Sequence, residues 1–422
     1  VTCDGQGSFL RRCSVSMVVL LRFGGQWVVL VALVVGAAGT WESCEALCRL
    51  SAGDCDLTVD SCQCVPSSSS EDDDDDGQSC HGNFAEAAAA APIAAPIVSS
   101  CEVGNVTDMS DSCALVSIRG DLDADETVVV RQKTAVDGNG FEWRSSRRRR
   151  MLYVLRGELD LRRISLIGGV ADLGGCVYVE KEGTFRATGV IFQNCRATSG
   201  GGAIAAVGSV LLYSSLFLGN SAADDGGAIR MLNNSTALYA ESTRFVNCTA
   251  GGGGAVAAMF DDRGSSRARA WGGLLYFFDV EFSRCSAVFG GALKAEVRSV
   301  LGVVNSTFAD CDAAKAGGAV FLRSPTTSKN DDDDALLGGG GGDSAVVVWF
   351  EASLFERCST SGAGGGLWVT VANHDVTGRD LRFFDCDAGS SGGGLVFVAK
   401  GGSATLALRD SRFHGCDAGS SG

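Results

Sequence analysis

Residues 192–204 read FQNCRATSGGGAI, and residues 217–229 read FLGNSAADDGGAI. Both stretches have a Phe, a Cys or Asn three residues later, an Ala two residues after that, and a Gly-Gly pair followed by Ala-Ile. Six further copies follow toward the C-terminus, and the Ala recurs in seven of the eight copies. Such a repeated motif is typical of a solenoid, in which each copy is one structural unit stacked on the next.

The repeated positions predict two inward ladders of side chains. The first ladder consists of Phe192, Phe217, Phe245, Phe282, Phe308, Phe355, Phe383 and Phe413. The second consists of Cys195, Asn220, Cys248, Cys285, Cys311, Cys358, Cys386 and Cys416. Successive Phe residues are 25, 28, 37, 26, 47, 28 and 30 residues apart, so the unit has a nearly fixed length and accepts insertions.

Each unit contains short runs of alternating apolar residues, such as those at 209–213 and 405–408, which indicate strands. The Gly-Gly pairs would interrupt helices, whereas a coil of strands needs glycine where it turns sharply beneath the next coil. The fold class predicted is all-β, a right-handed parallel β-helix with coils about 4.8 Å apart. Stacked cysteines have parallel side chains, a poor geometry for a disulfide, so we expect buried thiols rather than disulfides in the ladder.

The pattern also resembles a known family. Gly-Gly-Ala-Ile at 201–204 and 226–229, Phe-x-x-Asn at 217–220, and Asn-Ser-Thr-Phe at 305–308 are similar to the repeats of the polymorphic outer membrane protein family of bacterial adhesins and autotransporters. The resemblance covers residues 165–422, and the chain departs from it by carrying Cys where the family mostly has Asn. It implies a β-helix that serves as a scaffold.

The N-terminal part predicts a secreted protein. Met17, Arg22 and the apolar run 27–35, followed by small residues at 36–39, are typical of a signal peptide, and a cysteine-rich segment follows. We expect four regions: upstream sequence and signal peptide (1–40), a small cysteine-rich module (41–65), a low-complexity linker with further cysteines (66–112), and β-helix repeats (113–422). The last residues repeat 386–392, so the repeat is expected to continue beyond Gly422.

Other segments predict surface features. Five N-x-S/T sequences are candidate glycosylation sites: Asn105, Asn233, Asn234, Asn247 and Asn305. The insertions 261–270 and 325–342 are expected to protrude as loops on one side. The arginine run 144–150 is interpreted as an exposed loop between strands, with a protease processing site as the alternative.

The sequence assigns no catalytic residue. Asp310, Asp312, Asp385, Asp387 and Asp417 flank inward cysteines and would form an outward acidic stripe, which solvation of the turns explains better than catalysis. His374 and His414 have no placed partner. The cysteine spacings of the N-terminal module do not match a zinc site, and we expect neither a metal nor a cofactor.

The function predicted from these observations is binding. Acidic residues exceed basic ones by 50 to 35, which disfavours nucleic acid as a partner. We expect a secreted or cell-surface, adhesin-like scaffold that binds an extracellular glycan or protein, with a membrane anchor left open beyond Gly422. A polysaccharide lyase, hydrolase or epimerase on the same fold is the first alternative, and a structural cell-wall protein is the second. The oligomeric state stays open.

Overall fold

The computed structural model describes residues 115–123, 125–232, 237–258, 273–296, 300–323, 347–371, 375–400 and 404–419, together with the backbone of six strands nearer the N-terminus. The chain divides into two compact units, Val1–Pro92 and Ile93–Gly422. In the first unit, three antiparallel strands form one sheet and two form another. These strands are β1 (Thr2–Asp4), β2 (Arg12–Phe23), β3 (Gln26–Val35), β4 (Asp54–Leu57) and β5 (Cys62–Val65).

The second unit is a parallel solenoid of about 9 turns, built from three sheets that run along its length. Among the described residues no helix occurs, so the predicted all-β solenoid is confirmed. One sheet, here called the Phe sheet, has eleven described strands of two or three residues. They are β8 (Leu122–Asp123), β11 (Glu142–Arg144), β13 (Ser165–Ile167), β16 (Ile191–Gln193), β20 (Leu216–Leu218), β24 (Arg244–Val246), β28 (Glu281–Ser283), β32 (Thr307–Ala309), β36 (Leu354–Glu356), β40 (Arg382–Phe384) and β44 (Arg412–His414).

The second sheet, here called the short sheet, follows the Phe sheet in each coil from β13 onward and has nine strands in the described part of the chain. They are β14 (Val170–Leu173), β17 (Arg196–Gly200), β21 (Ser221–Ala222), β25 (Thr249–Ala250), β29 (Ser286–Phe289), β33 (Asp312–Ala316), β37 (Ser359–Thr360), β41 (Asp387–Ala388) and β45 (Asp417–Ala418). A Gly-Gly corner then leads into the third sheet.

The third sheet, here called the long sheet, has two segments, which each early coil fills either with two short strands or with one strand that spans both. Its first six strands are β6 (Ser100–Val103), β7 (Leu115–Ile118), β9 (Val128–Val130), β10 (Thr134–Asp137), β12 (Leu152–Arg162) and β15 (Val177–Thr188). The strands β9 and β10 pair with the two ends of β12, and β12 and β15 each span both segments. In the later coils, the strands of the first segment are β18 (Ile204–Ala206), β22 (Ile229–Met231), β26 (Val256–Ala258), β30 (Leu293–Glu296), β34 (Val320–Arg323), β38 (Leu367–Val371) and β42 (Leu395–Ala399). Those of the second segment are β19 (Ser209–Tyr213), β23 (Ala237–Glu241), β27 (Leu274–Phe278), β31 (Val300–Val304), β35 (Val347–Glu351), β39 (Asp375–Arg379) and β43 (Thr405–Arg409).

The long insertions enter the coil at the same point, between the two segments of the long sheet. Insertion 261–270 follows β26, and insertion 325–342 follows β34. These two strands lie in register two coils apart, because Ala258 pairs with Ala295 and Ala295 pairs with Leu322. The insertions themselves lie outside the described residues, but their points of departure are aligned along one edge.

The Gly-Gly corner explains why the repeat tolerates no larger residue there. Gly317 has a φ of 63°, a left-handed conformation that is favourable for glycine. A Cβ atom at Gly318 would lie 2.1 Å from the carbonyl oxygen of Gly365 in the next coil. The first glycine therefore sets the turn, and the second lets the next coil approach.

The Phe ladder runs through the core of the solenoid. Phe192, Phe217, Phe245, Phe282, Phe308, Phe355 and Phe383 are at most 1% exposed, whereas Phe413 in the last described coil is 49% exposed. Neighbouring rings are stacked, with centroids 4.5 to 5.1 Å apart. The register of the Phe sheet places each Phe directly beside the next, for example Phe282 beside Phe308.

The second ladder contains thiols that are hydrogen-bonded to the backbone. Cys248, Cys285, Cys311, Cys358 and Cys386 are buried and free, and Cys416 is free and partly exposed. Each buried thiol donates to the carbonyl of the Phe in the preceding coil, at 3.4 Å for Cys358 and 3.8 Å for Cys311. Asn220 makes comparable bonds with its amide, which donates to Phe192 O and accepts from Cys195 N, both at 2.9 Å.

Cys195 requires a correction, because it forms a disulfide with Cys176 and is not a thiol. The position below Cys195 in the ladder is Gly169, since Val170 pairs with Arg196. A Cβ at Gly169 would lie 2.7 Å from the Sγ atom of Cys176, so that sulfur occupies the space a ladder side chain would fill. The missing side chain at Gly169 thus allows Cys176, from the Gly-Gly corner of the same coil, to reach Cys195.

Candidate functional site

The acidic residues that flank the ladder cysteines do not form a continuous stripe. Asp310 lies beside Arg357, whose Nε donates to Oδ1 at 2.7 Å and whose Nη2 donates to Oδ2 at 3.1 Å. This contact with Arg357 lowers the pKa of Asp310. Asp312 accepts a hydrogen bond of 2.7 Å from the hydroxyl of Ser359, the residue that pairs with it in the next coil. The predicted stripe is therefore interrupted by a cation and a hydroxyl.

The remaining acidic candidates lie further along the same surface. Asp387 and Asp417 are exposed and pair directly in neighbouring coils of the short sheet. Asp385 is exposed at the preceding corner, and His414 is exposed on the Phe sheet. Within the described ranges no group of three or more His, Cys, Asp or Glu side chains could hold a metal ion. His374 lies outside the described residues.

A different surface feature lies on the outward face of the second segment of the long sheet. We call it the outer aromatic strip, and it consists of Tyr213, Tyr239, Leu274, Tyr276, Phe278, Val347 and Trp349. Leu274 is 40% exposed and Val347 is 47% exposed. Alternation along each strand sends Leu275 and Phe277 inward, which leaves Tyr276 and its neighbours on the outside. An exposed apolar patch of this kind indicates an interaction site.

The aromatic rings of the strip are in contact from coil to coil. The ring centroids of Tyr213 and Tyr239 are 5.6 Å apart, as are those of Tyr239 and Tyr276. The ring of Trp349 is 5.9 Å from that of Tyr276, although Gly302 stands between them in the register. Trp349 thus continues the row across a position that has no side chain.

Gly302 fixes how the indole of Trp349 lies. A Cβ at Gly302 would be 2.3 to 2.8 Å from three atoms of the six-membered ring of Trp349, so the ring covers the bare backbone of Gly302. The two ring planes of Tyr276 and Trp349 are inclined by 49°. A partly exposed indole lying over a glycine offers a flat apolar surface to a ligand.

Polar groups accompany the rings. The hydroxyl of Tyr239 donates to Oε2 of Glu241 at 2.8 Å, and the guanidinium of Arg186 lies 5.4 Å from the ring centroid of Tyr213. Burial and the Glu241 carboxylate raise the pKa of Tyr239, and burial raises the pKa of Tyr276. Both phenols are therefore neutral near pH 7. The Tyr239 hydroxyl gives its one proton to Glu241 and can accept from a ligand, whereas the Tyr276 hydroxyl can donate. The strip combines apolar ring surface with donors and acceptors.

The outer aromatic strip is not part of the repeated motif, although the sequence contains a signal for it. Tyr239, Tyr276 and Trp349 each stand six residues before a ladder Phe. The same position in other coils holds Leu211, Gly302 and Thr377, so it is not part of the repeated motif. A search for recurrent aromatics at outward positions, once the register was known, would have found it.

The glycosylation candidates divide into two groups. Asn247 and Asn305 are exposed at corners of the solenoid, with φ of 55° and 50°. The Nδ2 atom of Asn305 donates to Asp279 Oδ1 at 3.3 Å. Asn105, Asn233 and Asn234 lie outside the described residues.

Comparison with known proteins gives no relative: no family model, no curated protein and no solved structure matches the chain. In the described residues no helix is long and apolar enough to cross a membrane.

Proposed function

We propose that the chain is a secreted or cell-surface, adhesin-like protein whose solenoid binds an extracellular glycan along the outer aromatic strip. The observation that carries this proposal is the row from Tyr213 to Trp349 on an outward sheet face. A sugar ring has an apolar face of C–H groups and a rim of hydroxyls. The face packs on aromatic rings, and the rim finds partners such as Glu241 and the tyrosine hydroxyls.

The shape of the surface supports an elongated ligand. The strip spans several coils of a rigid sheet and does not form a closed pocket, so it offers repeated contacts to a polymer. In the part of the chain that the structure describes, no such row of aromatics accompanies the acidic candidates, and Asp310 is engaged by Arg357. The proposal therefore favours binding over cleavage of the glycan.

A relation of the coils to the repeats of the polymorphic outer membrane protein family is part of the proposal. The shared motifs occupy equivalent places in neighbouring coils, because Ile204 pairs with Ile229 and Phe192 pairs with Phe217. In this interpretation Asn247 and Asn305 are glycosylated on the secretory route.

To test the proposal, the full-length protein is passed over immobilised neutral and acidic polysaccharides. The same samples are assayed for cleavage of the polysaccharide. Retention on a neutral glycan without product is expected. Trp349→Ala should reduce this affinity about 30-fold, as expected for an aromatic hot spot. The matched control is Trp368→Ala, since Trp368 is an outward, half-buried tryptophan stacked at 4.5 Å on Phe321 of the first segment.

Three results would contradict the proposal. Release of product would make the protein an enzyme on this scaffold. Equal losses in the two tryptophan variants would show that the strip is not the binding surface. Retention of a protein and of no glycan would assign the strip to a protein partner.

A further inference from the structure

A depression of about 810 Å³ lies where the Phe sheet turns into the short sheet in the early coils. Its polar lining consists of Arg148, Asn194, Arg196, Thr198 and Ser221, and its remaining lining residues are Gly, Ala and Val. It is separate from the outer aromatic strip, because none of its residues belongs to the second segment of the long sheet. The arginine run of the sequence therefore contributes Arg148 to a depression that has no part in the proposed function.

The turn that carries Arg148 is fixed. Arg148 has a φ of 53°, which is uncommon for a residue with a side chain. The hydroxyl of Ser145 accepts from the backbone N–H of Arg149 at 2.9 Å and donates to its carbonyl at 3.0 Å. The same carbonyl accepts from the N–H of Val170 in the next coil at 3.2 Å. The turn is thus tied both to itself and to the coil that forms part of the depression.

Arg150, two residues later, has a structural role. Its guanidinium donates to the carbonyls of Leu173 and Gly174 at 2.6 and 3.2 Å, and it lies 4.9 Å from the ring centroid of Tyr178. Arg150 anchors the end of the run, while Arg148 reaches the depression. This arrangement differs from a loop whose arginines all point freely into solvent.

Within the described ranges, the two arginines of the depression have no carboxylate partner. Among the described residues, neither Arg148 nor Arg196 forms an ion pair, and no carboxylate lines the depression. By contrast, Arg244 pairs with Glu281 at 2.8 Å, and Arg357 pairs with Asp310 at 2.7 Å. Two unpaired guanidinium groups beside one depression are notable in a chain of net charge −15.

One carboxylate, Asp172, lies at the margin of the depression, because it accepts a hydrogen bond from the lining residue Thr198. Asp172 accepts hydrogen bonds from the hydroxyls of Thr198 and Ser199, at 2.9 and 2.6 Å. These bonds lower the pKa of Asp172, so it is ionised at neutral pH. Asp172 keeps its negative charge, but it is not a lining residue and, among the described residues, it forms no ion pair with Arg148 or Arg196, so both guanidinium groups stay available for an external anion.

We propose that this depression binds a carboxylate or sulfate group of an acidic saccharide. A guanidinium offers a planar pair of N–H donors that fits an oxyanion, and two of them focus positive potential on one spot. The side chains of Asn194 and Ser221 add neutral donors at the same place. This site does not depend on a ligand at the outer aromatic strip, so either proposal can fail while the other stands.

The experiment is calorimetric titration of the full chain with trigalacturonic acid, at low and at high salt. The fully methyl-esterified trisaccharide serves as the uncharged control, and inorganic sulfate serves as the competitor. We expect binding of the acid form that weakens with salt, is absent for the ester and is displaced by sulfate. The double variant R148Q/R196Q should weaken binding at least about tenfold, because charge-assisted hydrogen bonds are lost.

The matched control uses a second depression of about 550 Å³, which is lined by Arg382 together with Glu356, Asp380 and Asp385. Arg382→Gln removes one positive charge from a surface that is otherwise acidic, so it should leave the binding constant unchanged. Equal losses of affinity in the Arg196→Gln and Arg382→Gln variants would indicate an adventitious ion only. That result would overturn the proposal. Absence of binding to both the acid trisaccharide and sulfate would also overturn it.

Discussion

The inside and the outside of the solenoid share one register but differ in how strictly they repeat. Inward positions carry the same residue type in nearly every coil, as the stacked rings of Phe192 to Phe413 show. The outward position six residues before each Phe changes from Leu211 to Tyr239 and Tyr276, and then to Gly302 and Trp349. The repeat is therefore imposed by packing, and the departures from it occur where the surface is free to vary.

The reason is that an inward residue always has its own equivalent as a neighbour. A Phe ring stacked between two Phe rings fits only if all three keep the same rotamer and size. An outward residue has solvent on one side, so a change from Tyr to Trp costs little. Selection for binding can act on the outer columns without disturbing the inner ones.

The largest expected effect is on the inner Phe ladder. Replacing Phe308 by Ala should lower the free energy of unfolding by about 3 to 5 kcal/mol, because the buried ring loses its transfer energy and leaves a cavity between Phe282 and Phe355. Phe384→Ala is the control, since Phe384 lies on the outward face of the same sheet, is only partly buried and should cost much less. Equal losses in urea unfolding would show that the ladder is not the core of the solenoid.

The second largest expected effect on stability is loss of the disulfide in the early coils, which we compare with loss of a free thiol in the later coils. The disulfide of Cys176 and Cys195 closes a loop of 19 residues. Loop closure of this length stabilises by about 3 kcal/mol. Cys176→Ala should lose that amount under oxidising conditions, because Ala already fills the equivalent corner position at Ala203 and fits there.

The control for this prediction is Cys311→Ala, which removes one buried thiol and should cost only about 1 kcal/mol. With a reductant present, the difference between the wild-type protein and Cys176→Ala should shrink to about 1 kcal/mol, the cost of removing one buried thiol. A difference of about 3 kcal/mol that persists in the reductant would mean that Cys176 stabilises through packing rather than through the bond.

The fold was predictable from the sequence because the inward pattern recurs in successive coils and can therefore be recognised along the chain without knowledge of any contact. Phe217, Asn220 and Gly226-Gly227 recur at fixed places, and the same chemistry of stacking and turning applies in each coil. The outer aromatic strip was not predictable in this way. Tyr276 and Trp349 meet only because Gly302 lies between them, and that neighbourhood exists only after the chain has coiled.

The same limit applies to the disulfide and to the basic depression. Cys176 reaches Cys195 because Gly169 lacks a side chain in the coil below, which the spacing of cysteines does not reveal. Arg148 and Arg196 belong to different coils and approach one another through the turn of the arginine run. The sequence reveals the residues that recur in successive coils. It does not reveal a contact that occurs at a single place in the solenoid.

The smallest expected effect concerns the pair of Asp310 and Arg357 on the outer corner. Arg357 lowers the pKa of Asp310 in the folded chain, so the unfolded chain binds a proton there more readily. The stabilisation is therefore complete above the unfolded value of about 3.9, and it is lost as the pH falls through the lower folded value. Both side chains are largely exposed, which keeps the effect small through solvent screening.

The measurement is urea unfolding of the wild type and of Asp310→Asn at pH 7 and at successively lower pH. The wild type should be slightly more stable at pH 7, and the difference should disappear in acid as Asp310 becomes protonated. Asp385→Asn is the matched control, because Asp385 occupies the same corner one coil beyond Arg357 and forms no ion pair with it among the described residues. A constant difference down to the lowest pH would mean that the carboxylate contributes through shape rather than charge. A large difference in the free energy of unfolding at pH 7 would mean that this outer ion pair is a main source of stability for its coil. The outward positions would then be less free to vary than the comparison with the Phe ladder indicates.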